Sequence, residues 1–185
     1  MTDILKDKKW VVFFSHTGSE INNISTRIGR VPDRVITNKS PGDKTINKQL
    51  MRLVKKDIVY TSNKPTTQDY ERLLMDNCVV TLHGWMRIIP GKICKDNEIY
   101  NLHPGLITKY PELKGADPQK RVVDSSSKTT YKQVGCVIHK VTETVDDGEV
   151  LAECSCYNHY DSHALLSDKL HQMASDLWVD FLTGA

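Results

Sequence analysis

Asn101, Leu102, His103, Pro104 and Gly105 form the stretch whose residue types could do chemistry. In an extended segment, residues two apart project to one side, so the Asn101 amide and the His103 imidazole would share a face. The amide offers two N–H donors, and the imidazole one or two depending on its charge. Converging donors suit a site where an oxygen becomes negative, as in acyl transfer. The same residues also fit a strand end followed by a turn at His103-Pro104. Far downstream, Asp146 in Asp146-Asp147-Gly148 could act as a charge partner, although Asp-Asp-Gly is also a common hairpin turn.

The elements that must position these groups alternate along the chain. Trp10–Phe14 is a short apolar run that reads as a buried parallel strand. Gly18 and Ser19 turn it into a helix from Glu20 to Ile28, with Ile21, Ile24 and Ile28 at helical spacing. Arg34–Thr37, Asp57–Tyr60 and Asn77–Leu82 read as further strands, and Thr45–Val54 as an amphipathic helix. Thr66 or Thr67 caps another helix, running to about Met75. Gly135–Thr142 and Glu149–Cys156 read as late strands, and Ser162–Leu182 as a closing amphipathic helix. Strands alternating with helices predict an α/β fold with a mostly parallel central sheet flanked by helices. Sites in such sheets lie off the C-terminal strand ends, where Asn101, His103 and the segment Gly84–Pro90 fall.

A length of 185 residues predicts one domain over residues 1–185, with 1–9 as an N-terminal tail. A hydrophobic content of 39% and a net charge of +2 give no reason to expect nucleic acid or membrane as a partner. No apolar run has the length of a membrane span, and the first residues lack a signal-peptide core. Five cysteines without a dense framework fit free thiols in a reducing cytoplasm. Cys154, Cys156, His159 and His163 are metal-ligand types, but their spacing matches no common zinc module, so no metal is expected.

Three separated motifs occur in one order: Gly84-Trp-Met-Arg-Ile-Ile-Pro90, Asn101-Leu-His-Pro-Gly105, and His139-Lys-Val-Thr-Glu-Thr-Val-Asp-Asp-Gly148. Together they resemble the folate-dependent formyltransferases, most closely the glycinamide ribonucleotide transformylase type, from about Trp10 to Leu182. The resemblance implies a Rossmann-like formyltransferase fold and a 10-formyltetrahydrofolate co-substrate. It implies Asn101, His103 and Asp146 as catalytic. It places Met86, Arg87, Ile88 and Ile89, with Val141, Thr142 and Val145, around the folate. It assigns the amine substrate to Gly18, Ser19 and the Glu20 position, and to Gln172 on the last helix. The partners implied are a small-molecule amine and folate, with the oligomeric state left open.

In that chemistry a primary amine attacks the formyl carbon, and Asn101 and protonated His103 would donate to the resulting oxyanion. Asp146 would favour the imidazolium by opposite charge and could hold a water that relays the proton. The chain also departs from the family pattern. Glu20 stands where the family has an asparagine, and His83 where it has a small residue; the bland reading of His83 is a satisfied core histidine. Thr108 stands where the family has a proline after a cis bond, so a trans Ile107–Thr108 peptide is expected. Val123–Thr130 is a longer polar stretch, a surface loop or a lid. Glycinamide ribonucleotide is the best named acceptor. The alternatives are a nucleotide-linked amino sugar, a modified nucleobase amine, or a non-catalytic folate- or nucleotide-binding module. Hydrolysis of the formyl folate uses similar residues, but those relatives carry an N-terminal regulatory domain, and about nine residues precede the first strand here.

Overall fold

The computed structural model describes residues 3–125 and 130–185. Among them, five strands run parallel: β1 (Lys9–Phe14), β2 (Arg34–Thr37), β3 (Ile58–Tyr60), β4 (Cys78–His83) and β5 (Glu98–His103). Two more, β6 (Gln133–Lys140) and β7 (Val150–Tyr157), are antiparallel and complete one sheet in the order β3-β2-β1-β4-β5-β6-β7. The helices are α1 (Ser19–Ile28), α2 (Lys48–Leu53), α3 (Thr67–Leu73), α4 (Gly91–Asp96), α5 (Pro118–Asp124) and α6 (His163–Thr183).

The period-two geometry of β1 divides the interior. Trp10, Val12 and Phe14 enter one apolar cluster with Ile21 and Ile24 of α1 and Leu166, Leu170 and Trp178 of α6. Val11 and Phe13 enter the other, with Tyr70 of α3, Trp85 and Ile93. Strands buried on both faces read as continuous apolar runs rather than alternating ones, which is why Trp10–Phe14 was legible as a parallel strand.

Several expectations shift. The second helix begins at Lys48, not Thr45, because the Asn47 side chain accepts hydrogen bonds from the Gln49 and Leu50 N–H groups and so caps the helix there. α4 and α5 were not foreseen; both are short and carry little amphipathic period. Val123 and Asp124, read as part of a polar loop, end α5, whereas residues 126–129 of that stretch lie outside the described residues. Of the stretch expected as a tail, the described part packs on the domain: Leu5 is buried in the core, the Arg30 guanidinium donates to the carbonyls of Leu5 and Lys8, and Lys9 begins β1. β6 ends at Lys140, which leaves Thr142 in the following loop. The Ile107–Thr108 peptide is trans.

α3 starts with a reciprocal cap. The Asp69 N–H donates to Thr66 Oγ1, and the Thr66 N–H donates to the Asp69 carboxylate at 2.7 Å. Thr66→Ala should lower unfolding free energy by about 1 kcal/mol in a denaturant titration.

Candidate active site

A cavity of about 830 Å³ opens where the parallel strands end. Its walls come from the loops after β1 and β4, the end of β5, the loop 141–146, the segment before α5, and one face of α6. This is the place that an open α/β sheet offers a ligand.

Asn101 and His103 lie two residues apart on β5, as the pleat requires. Asp146 reaches His103 from 43 residues further along the chain. Its Oδ2 lies 3.1 Å from His103 Nδ1, and its Oδ1 lies 3.3 Å from His139 Nε2. The Gly115 N–H donates to Oδ2 at 2.9 Å. Burial alone would raise the Asp146 carboxyl. The hydrogen bonds from His103 and His139, the charge on His103 and the Gly115 N–H outweigh it and hold the group well below the usual carboxylate range.

His103 is buried, and its Nε2 lies 2.9 Å from the Leu113 carbonyl oxygen. Both ring nitrogens therefore face acceptors, and only the doubly protonated ring satisfies both. His139 is different. Its Nδ1–H donates to the Lys140 carbonyl at 3.0 Å, while Nε2 sits 3.2 Å from Asn101 Nδ2 as well as beside Asp146. Nε2 can accept from the amide or donate to the carboxylate, but not both. In the second state the Asn101 N–H that faced Nε2 loses that acceptor.

The segment that supplies Leu113 O and Gly115 N–H is itself organised by Arg121 of α5. Its guanidinium donates to the carbonyls of Glu112, Leu113, Lys114 and Ala116. Asp146 has φ 51°, a left-handed backbone that an aspartate tolerates better than most residues. Strain of this kind gathers at functional sites. Two residues on, Gly148 passes so close to β6 that a Cβ there would stand 1.7 Å from the Lys140 carbonyl oxygen. Gly148→Ala should displace the loop carrying Asp146 and lower unfolding free energy by about 1–3 kcal/mol, read by thermal or denaturant melts.

The remaining sequence-predicted residues fall as follows. Met86, Arg87, Ile88, Ile89, Val141, Thr142 and Val145 all line the cavity. Met86, Ile88 and Val145 are exposed apolar side chains at its mouth, while Ile89 is buried and belongs equally to the core. The Arg87 guanidinium turns away, donating to the Met86 carbonyl and Asn63 Oδ1, so backbone and apolar surface face the cavity there. Gly18, Ser19 and Glu20 line the opposite end at the start of α1. Gly18 has φ 73°, and a Cβ on it would meet Leu50 Cδ2 at 2.4 Å. Gln172 is not brought in: it is exposed and points off the cavity face, which α6 builds from Ser167, Asp168, Leu170, His171 and Ala174. Position 172 lies about 100° around the helix from His171 and beyond the Asp168 edge of that face.

Cys154 and Cys156 point at α6, where the Cys154 thiol donates to the Met173 carbonyl and Cys156 Sγ lies 3.8 Å from Met173 Sδ. Among the described residues no group of three or more histidine, cysteine, aspartate or glutamate side chains is placed to hold a metal ion.

A family profile described as formyl transferase matches residues 8–182. The chain belongs to the formyl transferase family. Among its curated relatives, a phosphoribosylglycinamide formyltransferase from Dictyostelium discoideum is 40% identical over 80 residues, covering 40% of this chain and 37% of that protein. The match thus spans under half the length of that relative. Among solved structures, a glycinamide ribonucleotide transformylase from Symbiobacterium toebii superposes with a TM-score of 0.74 at 21% identity, over 95% of this chain and 86% of the other. A formyltetrahydrofolate deformylase from Pseudomonas syringae gives 0.72 at 22% identity, over 95% and 60%. At these identities the structures establish the formyl transferase fold, shared by a transferase and a deformylase alike.

Within this family member, sequence reasoning passed over His139, which it named only as the first residue of the third motif. The signal was present: pairing β6 antiparallel to β5 sets His139 directly opposite Asn101. It also missed Asp168 and His171, because helical period alone does not say which polar stripe of α6 meets the cavity.

Proposed function

We propose that this chain moves a formyl group from 10-formyltetrahydrofolate to the primary amine of glycinamide ribonucleotide. The observation that carries the reading is the Asp146 carboxylate between His103 and His139, beside the Asn101 amide and open to one cavity. The apolar mouth formed by Met86, Ile88 and Val145 suits a flat pterin. The Dictyostelium relative supports the choice of acceptor.

The amine nitrogen attacks the formyl carbon, and the carbonyl oxygen takes the negative charge. An Asn101 N–H donates to it, and the His103 imidazolium turns its Nε2–H from Leu113 toward it. Asp146 keeps His103 charged and holds a water that takes the proton from the attacking nitrogen. The bond from carbon to the folate nitrogen then breaks as that nitrogen receives the proton. The new amide leaves with the carbon, and tetrahydrofolate remains. The reading treats residues 1–185 as one catalytic domain and sets it in the cytoplasm, in keeping with five free cysteines.

The test is incubation of the purified chain with 10-formyltetrahydrofolate and a panel of amines: glycinamide ribonucleotide, a nucleotide-linked amino sugar and free nucleobase amines. The expected result is formylated glycinamide ribonucleotide by mass, in step with tetrahydrofolate release. Release with formate and no formylated amine would replace transfer by hydrolysis, and folate binding without release would leave a binding module.

A further inference from the structure

Two positions where the chain departs from its family pattern, 63 residues apart, are bonded to each other. Glu20 Oε2 lies 2.7 Å from His83 Nδ1. The His83 ring is buried against Trp178, with centroids 5.1 Å apart. Its Nε2 lies 2.8 Å from Thr81 Oγ1, and that oxygen accepts the Trp10 indole N–H at 2.9 Å. An indole only donates, so the Thr81 hydroxyl proton is free for His83 Nε2, and the remaining Nδ1–H goes to Glu20. A relay of three buried side chains thus fixes one oxygen of a carboxylate that lines the cavity. Among the described residues no hydrogen bond reaches the other oxygen, Oε1.

We propose that Glu20 is a specificity-determining residue that accepts a hydrogen bond from a hydroxyl on the body of the amine substrate, with His83 as its positioning residue. The inference rests on the formyl-transfer reading above. A carboxylate is acceptor-only, so it selects a donor and repels an anionic group set directly against it. His83 ends β4, and β5 lies beside it with Asn101 opposite Leu82. Adjacent strands are about 4.8 Å apart, so Glu20 stands to the α1 side of the amide that meets the reacting carbon. A substrate with its amine at Asn101 and its body running toward α1 passes Glu20 midway. Its amine is already committed at the other end, so the donor that Glu20 meets is a hydroxyl of a sugar-like segment. Among the described residues the cavity lining holds no lysine, and its one arginine, Arg87, is engaged with Asn63 and the Met86 carbonyl. Recognition of the body at this end therefore relies on acceptors such as Glu20 rather than on side-chain cations.

The experiment compares glycinamide ribonucleotide with analogues lacking one ribose hydroxyl, using the full chain and 10-formyltetrahydrofolate. With the wild-type chain, one deoxy analogue should show an amine KM raised about tenfold or more, as expected for loss of a hydrogen bond to a charged group. In Glu20→Ala the amine KM for the parent substrate should rise to a similar degree, kcat and the folate KM should change far less, and the preference for the hydroxylated amine should vanish. His83→Ala should behave like Glu20→Ala, while His83→Asn, which keeps an N–H donor near Glu20, should recover part of the loss. Equal KM values for parent and deoxy amines overturn the inference on the wild-type chain alone, whatever the variants' folding. An active wild type with an unchanged amine KM in folded Glu20→Ala also overturns it and leaves formyl transfer standing. No formylated amine from the wild type overturns both.

Discussion

Asp146→Asn should lower kcat by about 10²-fold or more while the dissociation constant for the folate stays within a few-fold, as fits loss of a group that acts in proton transfer. The amide keeps one oxygen for one histidine but turns an N–H toward the other. The His103 ring, whose two N–H groups are held by Asp146 and Leu113, loses its anionic partner. Single-turnover measurements with saturating amine isolate this step from binding, and an unaltered rate would remove Asp146 from the mechanism. The same substitution has a signature in stability. Asp146 is held well below the usual carboxylate range when folded, whereas in the unfolded chain it titrates near ~3.9. A depressed native value contributes stability that is fully present above the unfolded value and is lost as pH falls through the native one. The gap in unfolding free energy between wild type and Asp146→Asn should therefore be constant near neutrality and close only in strong acid. Denaturant titrations at several pH values measure it.

Asn101→Ala is the second large effect. It deletes the proposed oxyanion donor and also the amide beside His139 Nε2. Loss of one such donor costs about 10²–10³-fold in kcat, or roughly 3–4 kcal/mol of transition-state stabilisation. Asn101 contacts the same histidine that Asp146 contacts, so the two substitutions should not add. The double variant should be little slower than the worse single one, as happens when residues act as a unit. Full additivity would separate Asn101 from the His139–Asp146 pair.

The sheet was legible because its parallel strands are short apolar runs bounded by turn residues. Trp10–Phe14 and Arg34–Thr37 appear in the structure within a residue of where the sequence places them. That Asn101, His103 and Asp146 would fall in one site was legible only through motif order, since nothing in the local pattern of Asp146 distinguishes a buried carboxylate from a hairpin turn. What escaped depended on long-range packing. Helix α2 starts where Asn47 caps it rather than where its apolar period begins. Gln172 came from the family resemblance, but the azimuth of α6 is set by Leu166, Leu170 and Trp178 in the core, and that rotation brings Asp168 and His171 to the cavity instead. The partner of His83 could not be read at all, because a histidine in an apolar strand carries no mark of the glutamate that will meet it from another helix.

The segment 112–116 gives the imidazole of His103 an acceptor and the carboxylate of Asp146 a donor, while Arg121 gathers its other carbonyls. These contacts are mechanically linked. Under the proposed mechanism, a reactant oxygen that draws His103 off Leu113 acts on the same few residues that steady Asp146. In that mechanism the formyl donor at His103 and the proton carrier at Asp146 would therefore share one support, the short stretch 113–115.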